Sequence, residues 1–123
     1  MQKNIKATGI EITPAISDYV ERKFSAFDRF VQDENSSLCN VEVGKTTNHH
    51  KQGDVFRAEV NLRISGKNFF AASEKDDLYA AIDEVKDDIL REITTEKDRS
   101  TTVMRRGALK LKNILKGLDW RKK

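Results

Sequence analysis

The amino-acid sequence predicts a single α+β domain of element order β-α-β-β-β-α, in which two helices pack on one face of a four-stranded sheet. Two segments predict the helices, because their apolar residues recur every three or four positions. Four shorter segments predict the strands, and two of them alternate apolar and polar residues. The length of 123 residues fits one domain with a two-layer core.

The first strand and the first helix are predicted from the N-terminal quarter of the chain. Residues 4–12 predict the strand, with a bulge or turn at Gly9. Thr13 and Pro14 predict a helix start, because a threonine hydroxyl caps the first turn and proline is tolerated at the first helical position. The apolar stripe of this helix consists of Ile16, Val20, Phe24, Phe27 and Val31. A polar run over 33–37 ends the helix.

The middle of the chain predicts three strands. Residues 39–43 and 55–64 alternate apolar and polar side chains, as expected for a sheet with one solvated face. A polar loop over 46–54 joins them. The Ser-Gly-Lys sequence at 65–67 predicts a turn into a fourth strand at 68–73.

The second helix is strongly acidic. Ser73 and Asp76 fit a capping box, and the acids near its start complement the positive end of the helix dipole. Its apolar stripe consists of Leu78, Ile82, Val85, Ile89 and Ile93. We therefore interpret part of the acidity as structural and part as a solvated outer face.

Several protein classes are excluded by the composition. No apolar run approaches the roughly 20 residues of a membrane span, and the N-terminus lacks the apolar core of a secretory signal. Cys39 is the one cysteine, which excludes an internal disulfide and favours a reducing compartment. We expect a cytoplasmic protein.

The sequence carries no catalytic motif. Its six glycines do not match a phosphate-binding loop, and Cys39 has no obvious base beside it. His49 and His50 could contribute to a metal site, but no further cysteine or histidine lies near enough in the sequence to complete one. We interpret them as solvated loop residues and expect no enzyme activity, cofactor, metal or small-molecule substrate.

The charge is distributed unevenly. Residues 99–123 hold nine bases and one acid, a net charge of +8, whereas residues 1–98 hold fourteen bases and nineteen acids, a net charge of −5. We predict a domain over 1–98 and a flexible basic tail over 99–123, with a joint near 98–103. Such a tail is typical of nucleic-acid binding, and Trp120 could stack on an exposed base.

A second interpretation of the tail stays open. Its apolar residues form a stripe flanked by bases, which is the signature of an interfacial helix. The stripe consists of Met104, Ala108, Leu111, Leu115 and Leu118. The alternative function is therefore a module that docks on a membrane or another protein through this tail.

The helices also carry bases at regular spacing. Arg22 and Arg29 are seven residues apart, which would place them on one side of helix 1, and Lys86 and Lys97 are eleven apart on helix 2. Nearby acids at i,i+4, Asp18 for Arg22 and Asp87 for Arg91, provide partners for these bases. From spacing alone we interpret the helix bases as ordinary surface charges.

Two stretches of the chain resemble a known family. "GIEITPAISDYVERKF" at 9–24 and "DLYAAIDEV" at 77–85 are similar to the ribosome hibernation-promoting factor family, also called ribosome-associated inhibitor or factor Y, and in places labelled sigma-54 modulation protein. The likeness runs through roughly residues 3–97 and is that of a short form with a basic tail, without the separate dimerisation domain of the long forms. The family has the predicted element order, similar to double-stranded-RNA-binding domains.

The resemblance implies a non-enzymatic bacterial protein that binds the small ribosomal subunit and its rRNA under stress or in stationary phase. It implies that the protein inhibits translation by occluding the channel of mRNA and of the A- and P-site tRNAs. We expect no membrane partner and a monomer when free. The candidate rRNA-binding residues are Arg22, Lys23, Arg29, Lys86, Arg91, Lys97, Arg105, Arg106, Lys110, Lys112 and Lys116.

The resemblance assigns these positions unequally. Lys23, Arg29 and Arg91 fall where the family has bases. Arg22 lies beside these residues, and Lys97 continues the line of bases past the helix. Ser17, Ala26 and Asp88 stand where family members often carry a base, and Asp88 adds a negative charge to the helix that should face the RNA.

Overall fold

The fold was analysed from a computed structural model, which describes residues 1–46 and 53–118, with side chains as far as residue 99. The predicted α+β class and element order are confirmed. The elements are β1 (Gln2–Thr8), α1 (Pro14–Phe24), two 3₁₀ segments (Ser25–Phe30 and Glu34–Ser36), β2 (Leu38–Thr46), β3 (Val55–Ile64), β4 (Lys67–Lys75) and α2 (Leu78–Leu118). His49, His50 and Trp120 lie outside the described residues.

The four strands form one mixed sheet in the order β1-β2-β3-β4. β1 and β2 are parallel, and the other two pairs are antiparallel. A parallel neighbour cannot be reached through a tight hairpin, so the chain crosses over the sheet through α1 between β1 and β2. That crossover places α1 against one face of the sheet.

The core lies between this covered face and the helices. Val41 of β2, Val60 of β3 and Ala71 of β4 are in register across the sheet and are buried. The predicted stripe of the first helix is buried above them as far as Phe27, whose ring stacks on that of Phe24 with centroids 5.2 Å apart, whereas Val31 lies beyond the first 3₁₀ segment and is half-buried. The stripe of α2 is buried from Leu78 to Ile89. Apolar burial of this kind is the main favourable term in the folding of a domain of this size.

The opposite face of the sheet is open and largely polar. Asn4, Asn40 and Asn61 lie side by side across β1, β2 and β3, and the Asn4 amide donates to Asn40 Oδ1 at 3.0 Å. Next to them, the Phe70 side chain on β4 remains 49% exposed. The alternation predicted for 55–64 therefore determines which residues of β3 enter the core and which remain exposed to solvent.

Two boundaries near the N-terminus differ from the sequence prediction. β1 ends at Thr8 rather than at residue 12, because Gly9 adopts φ +75° and its Cα lies against the Lys45 carbonyl oxygen, where an added Cβ would approach to 3.0 Å. The first helix is α-helical only to Phe24 and then tightens into a 3₁₀ segment. Ser25 Oγ donates to the Arg22 carbonyl at 2.7 Å at this junction.

The start of α2 was also placed wrongly. Ser73 belongs to β4 and is buried, whereas Asp77 caps the helix by accepting a hydrogen bond from the Tyr79 N–H at 3.2 Å. Because β4 stays paired with β3 as far as Lys75, the helix cannot begin until Leu78. The first turn of α2 therefore contains no acid, and one aspartate before it interacts with the helix dipole.

α2 is helical without interruption through 98–103, where the sequence predicts a joint. None of these six residues is a glycine or a proline, so the backbone can continue as a helix. By compactness the chain divides into two units, Met1–Arg91 and Glu92–Lys123. The division into a domain over 1–98 and a flexible tail over 99–123 remains a prediction, as does the similarity to double-stranded-RNA-binding domains.

The charged side chain of Lys3 enters the covered face. Lys3 Nζ on β1 lies 2.9 Å from Glu21 Oε1 and 3.7 Å from Asp28 Oδ1, and the Lys3 side chain is only 10% exposed. Burial alone would lower the pKa of Lys3, but the hydrogen bond to Glu21 and the charge of Asp28 outweigh it and raise the pKa above 10.5. The ammonium therefore joins β1 to α1 and to the 3₁₀ segment after it.

The packing gives a stability prediction. We expect Phe24→Ala to lower the free energy of unfolding by about 3–5 kcal/mol, because a fully buried ring would leave a cavity. Phe70→Ala makes the same chemical change on the open face and should cost less than about 1 kcal/mol. Urea unfolding followed by circular dichroism measures both. Equal losses for the two variants would contradict the assignment of covered and open faces.

Candidate nucleic-acid interface

The last turn of α1 brings together two of the candidate bases. Arg22 and Lys23 follow Tyr19 by three and four residues, so both reach back over its ring. The Arg22 guanidinium carbon lies 5.2 Å from the ring centroid, and Lys23 Nζ lies 5.4 Å from it. Both distances fit cation–π contacts, and the positive charges also suit the C-terminal end of the helix dipole.

Asp83 of α2 completes this cluster. Tyr19 Oη donates to Asp83 Oδ1 at 2.7 Å, and Lys23 Nζ lies 3.5 Å from the same oxygen. Loss of solvent around the phenol, together with the hydrogen bond to Asp83, raises the pKa of Tyr19 to about 12. The ring of Tyr79 meets Tyr19 edge-on at 4.7 Å. Lys23 is therefore half-buried and held, whereas Arg22 is exposed.

The bases of α2 within the first unit are paired with neighbouring acids. Lys86 Nζ lies 2.9 Å from Asp87 Oδ1, and Arg91 donates to Asp88 Oδ1 at 3.0 Å. The predicted partner of Arg91, Asp87, is therefore wrong, because Arg91 binds the acid at i,i+3 instead. Arg91 stays 72% exposed and Lys86 only 21%. Arg91 is thus the base of this pair that a polyanion reaches more easily.

Arg29 stands apart from the Tyr19 cluster. It lies in the 3₁₀ segment, is exposed, and its guanidinium carbon is 4.8 Å from the centroid of the Phe30 ring. The seven-residue spacing was expected to align it with Arg22, but that expectation assumed an α-helix as far as residue 31, and the helix changes type at Ser25. Between Asp18 and Arg22, both well within the described residues, no ion pair forms.

The remaining candidates belong to the second unit. Lys97 lies on α2 and is exposed. The other five also fall within the α2 range, but their side chains lie outside the described part of the structure. They are Arg105, Arg106, Lys110, Lys112 and Lys116.

The structure joins Arg22 and Lys23 through three residues that the sequence analysis missed. Tyr19, Tyr79 and Asp83 connect the two helices and restrain the bases. The spacing of Tyr19 to Arg22 and Lys23 was a readable signal for an aromatic contact. The contribution of Asp83 had no such signal, because it lies 64 residues away from Tyr19 in the chain.

The described residues offer little for covalent or metal chemistry. Cys39 is fully buried, and burial raises the pKa of its thiol to about 12, so it stays protonated at neutral pH. Among the residues whose side chains the structure describes, 1–46 and 53–99, no three His, Cys, Asp or Glu side chains come close enough to hold a metal ion. Within 1–46 and 53–118, no helix has both the length and the apolar character needed to cross a membrane.

Comparison with known proteins identifies the family. Residues 4–101 match the family model described as "Sigma 54 modulation protein / S30EA ribosomal protein". The ribosome hibernation promoting factor of Klebsiella oxytoca is 36% identical over 99 residues, which cover 80% of this chain and 96% of that protein. The protein of the same name from Escherichia coli K12 is 30% identical over the same shares.

A solved structure agrees with this assignment. The N-terminal domain of Protein Y from Thermus thermophilus is 31% identical and superposes with a TM-score of 0.62. The match covers 74% of this chain and 91% of that domain. The fold, the sequence comparisons and the family model agree, and the chain belongs to the sigma 54 modulation protein / S30EA ribosomal protein family.

Proposed function

We propose that this protein is a ribosome-associated hibernation factor that binds the small ribosomal subunit under stress or in stationary phase. In this proposal it occupies the channel of mRNA and of the A- and P-site tRNAs and silences translation by occlusion. The observation that carries the proposal is the family match over residues 4–101, with relatives named ribosome hibernation promoting factor that align over 96% of their length. The expected location is the cytoplasm.

Occlusion requires a surface that binds RNA, and it requires no catalytic group. Exposed guanidinium groups at Arg22, Arg29 and Arg91 can donate to phosphates and 2′-hydroxyls, which is how proteins grip folded RNA without reading its bases. Planar guanidinium forks fit phosphate oxygens well. The contacts of Arg22 and Arg29 with aromatic rings reduce the side-chain freedom that binding would otherwise remove.

The acids of α2 oppose this attraction. Asp83, Asp87 and Asp88 each pair with a base that would otherwise meet phosphate. The tail, with a net charge of +8 over 99–123, offsets the charge of −5 on residues 1–98. We therefore assign the tail bases a share of the RNA affinity along with the helix bases.

The first test is binding to isolated small subunits. We expect the protein to co-sediment with them and to be displaced when mRNA and initiator tRNA are added. Its affinity should fall steeply with salt, because each phosphate contact releases condensed counterions. Large subunits serve as the control for non-specific attraction. If the protein and the tRNA remain bound together at saturation, the occlusion mechanism is wrong.

The second test concerns Asp88. We expect Asp88→Asn to tighten subunit binding by roughly fivefold, about 1 kcal/mol, because it removes one repulsion and releases the Arg91 guanidinium. Glu74→Gln is the matched control, since it makes the same change in net charge on the open face of the sheet, where Glu74 pairs with Arg57. Equal gains in affinity for the two variants would show that the net charge of the protein controls binding, and that α2 does not face the RNA.

The third test concerns the tail. If its five candidate bases all meet phosphates, replacing them by glutamine should flatten the slope of log affinity against log salt by roughly 3.5–4.5 units. The five are Arg105, Arg106, Lys110, Lys112 and Lys116. Lys6→Gln with Arg63→Gln, on the open face, is the control and should leave the slope unchanged.

The same variant distinguishes RNA binding by the tail from the alternative function, docking on a membrane. A tail that docks on membranes would lose binding to anionic liposomes in the glutamine variant while subunit affinity and its salt slope stayed as in the wild type. That pattern would refute the assignment of the tail to RNA.

A further inference from the structure

The open face of the sheet carries a row of asparagines that ends at an aromatic ring. Asn4, Asn40 and Asn61 lie opposite one another on β1, β2 and β3, and Phe70 of β4 lies opposite Asn61. All four side chains are exposed, and the Phe70 side chain keeps 49% of its surface in contact with water. Asparagine is depleted in strands, and an exposed ring gains little from burial. The stability of the sheet therefore does not account for this row.

Two shallow grooves meet at the asparagine row. One groove, of about 250 Å³, is lined by all three asparagines and reaches Glu59. The other, of about 210 Å³, is lined in part by Asn40, Asn61 and Arg63. Asn40 and Asn61 thus contribute to both grooves. A carboxamide has two N–H donors and a carbonyl acceptor, so the exposed Asn61 side chain offers both kinds of hydrogen bond to a ligand.

The charge of the open face changes from one side of the asparagine row to the other. On one side the neighbouring row holds one base and no acid, since it consists of Gln2, Leu38, Arg63 and Asn68. On the other side, Lys6 lies in a row with Glu42 and Glu59. Arg63 follows Asn61 by two residues on the same face, roughly 7 Å along β3. A phosphate beside Asn61 is therefore attracted towards Arg63 and repelled by Glu59.

The extent of exposed apolar surface indicates the kind of ligand. Among the described residues, Ile12 and Phe70 are the large apolar side chains that remain exposed, and Ile12 lies outside the sheet. One ring is too small for the apolar centre of a protein interface, which contains many side chains. It matches a single nucleic-acid base, because unpaired bases stack on aromatic rings and accept or donate hydrogen bonds at their edges.

We propose that the open face binds single-stranded RNA, with a base stacked on Phe70, the edge of that base bonded by Asn61 and its phosphate bound by Arg63. Adenine is the base that fits, because its N6 amino group donates to the carboxamide oxygen and its N7 accepts from the carboxamide nitrogen. Asn68 lies opposite Arg63 and bonds the 2′-hydroxyl beside that phosphate, which selects RNA over DNA.

The site is separate from the candidate bases of the helices. Those helices cover the opposite face of the sheet, so the single strand is a different RNA from the one assigned to the helices and the tail. The inference goes beyond the proposed function and does not rest on it. Binding to small subunits and binding of a free single strand are measured on different RNA, and either can fail alone.

The test measures binding of single strands of about six nucleotides to the full-length chain by fluorescence anisotropy. Adenylate and uridylate strands carry equal numbers of phosphates, so attraction by the basic tail cancels in the ratio of their dissociation constants. We expect the wild type to bind the adenylate strand roughly five- to tenfold more tightly than the uridylate strand, and more tightly than the deoxyadenylate strand. Asn61→Ala should bring the adenylate-to-uridylate ratio close to one. Phe70→Leu keeps an apolar side chain without an aromatic face, and should weaken adenylate binding roughly fivefold or more.

Asn35→Ala is the matched control, since it removes the same exposed carboxamide from the 3₁₀ segment Glu34–Ser36, outside the sheet. This variant should keep the base preference of the wild type. Equal affinity of the wild type for the adenylate and uridylate strands overturns the proposal. So does a preference that survives Asn61→Ala, or a Phe70→Leu variant that binds adenylate as the wild type does, because either would place the recognition in another part of the chain. A deoxyadenylate strand that binds as tightly as the adenylate strand overturns the assignment to RNA.

Discussion

The short hydrogen bond from Tyr19 to Asp83 links the two helices of the domain directly. It joins α1 to α2 across 64 positions of sequence, above a sheet to which both helices add their apolar stripes. A hydroxyl bound to a carboxylate is a charge-assisted bond, worth about 1.5–3 kcal/mol. Lys23 uses the same carboxylate oxygen, and Arg22 lies over the tyrosine ring. A single acid therefore fixes the helix pair and the bases of α1 together.

This arrangement divides the helix bases into one that is restrained by an acid and others that remain exposed and able to move. Lys23 is held by Asp83 and is half-buried, so any role in RNA binding competes with a role in helix packing. Arg22, Arg29 and Arg91 are exposed and keep donors that can turn towards a phosphate. Pairing to a surface acid costs such a base little, because exposed ion pairs contribute under about 1 kcal/mol. An acidic helix is thus compatible with RNA binding when its acids engage bases in pairs that a phosphate can replace.

The sequence predicted the parts of the fold that follow from periodicity. The element order, the helix stripes and the alternation of β3 depend on apolar residues recurring at 3.6 or 2 residues, and one chain carries that signal by itself. The end of α1 and the start of α2 could not be read in the same way. A capping box at Ser73 looks sound locally, but pairing of β4 with β3 keeps that residue in a strand. Tertiary contacts decide such boundaries.

The candidate site shows the same limit at the level of side chains. An arginine on a helix can reach an acid three or four residues away, and spacing does not choose between Asp87 and Asp88 for Arg91. Whether a base is held or available depends on partners from other elements, as Asp83 shows for Lys23. The sequence could therefore identify the candidate bases, but only the fold shows which of them are restrained and which are available to a ligand.

The two sides of the sheet leave room for separate interactions. The helices cover one face of the sheet and carry the exposed Arg22 and Arg91, whereas Phe70 and the Arg57–Glu74 ion pair lie on the open face. A substitution on the open face therefore changes the net charge of the protein and leaves the contacts of the helix bases unchanged.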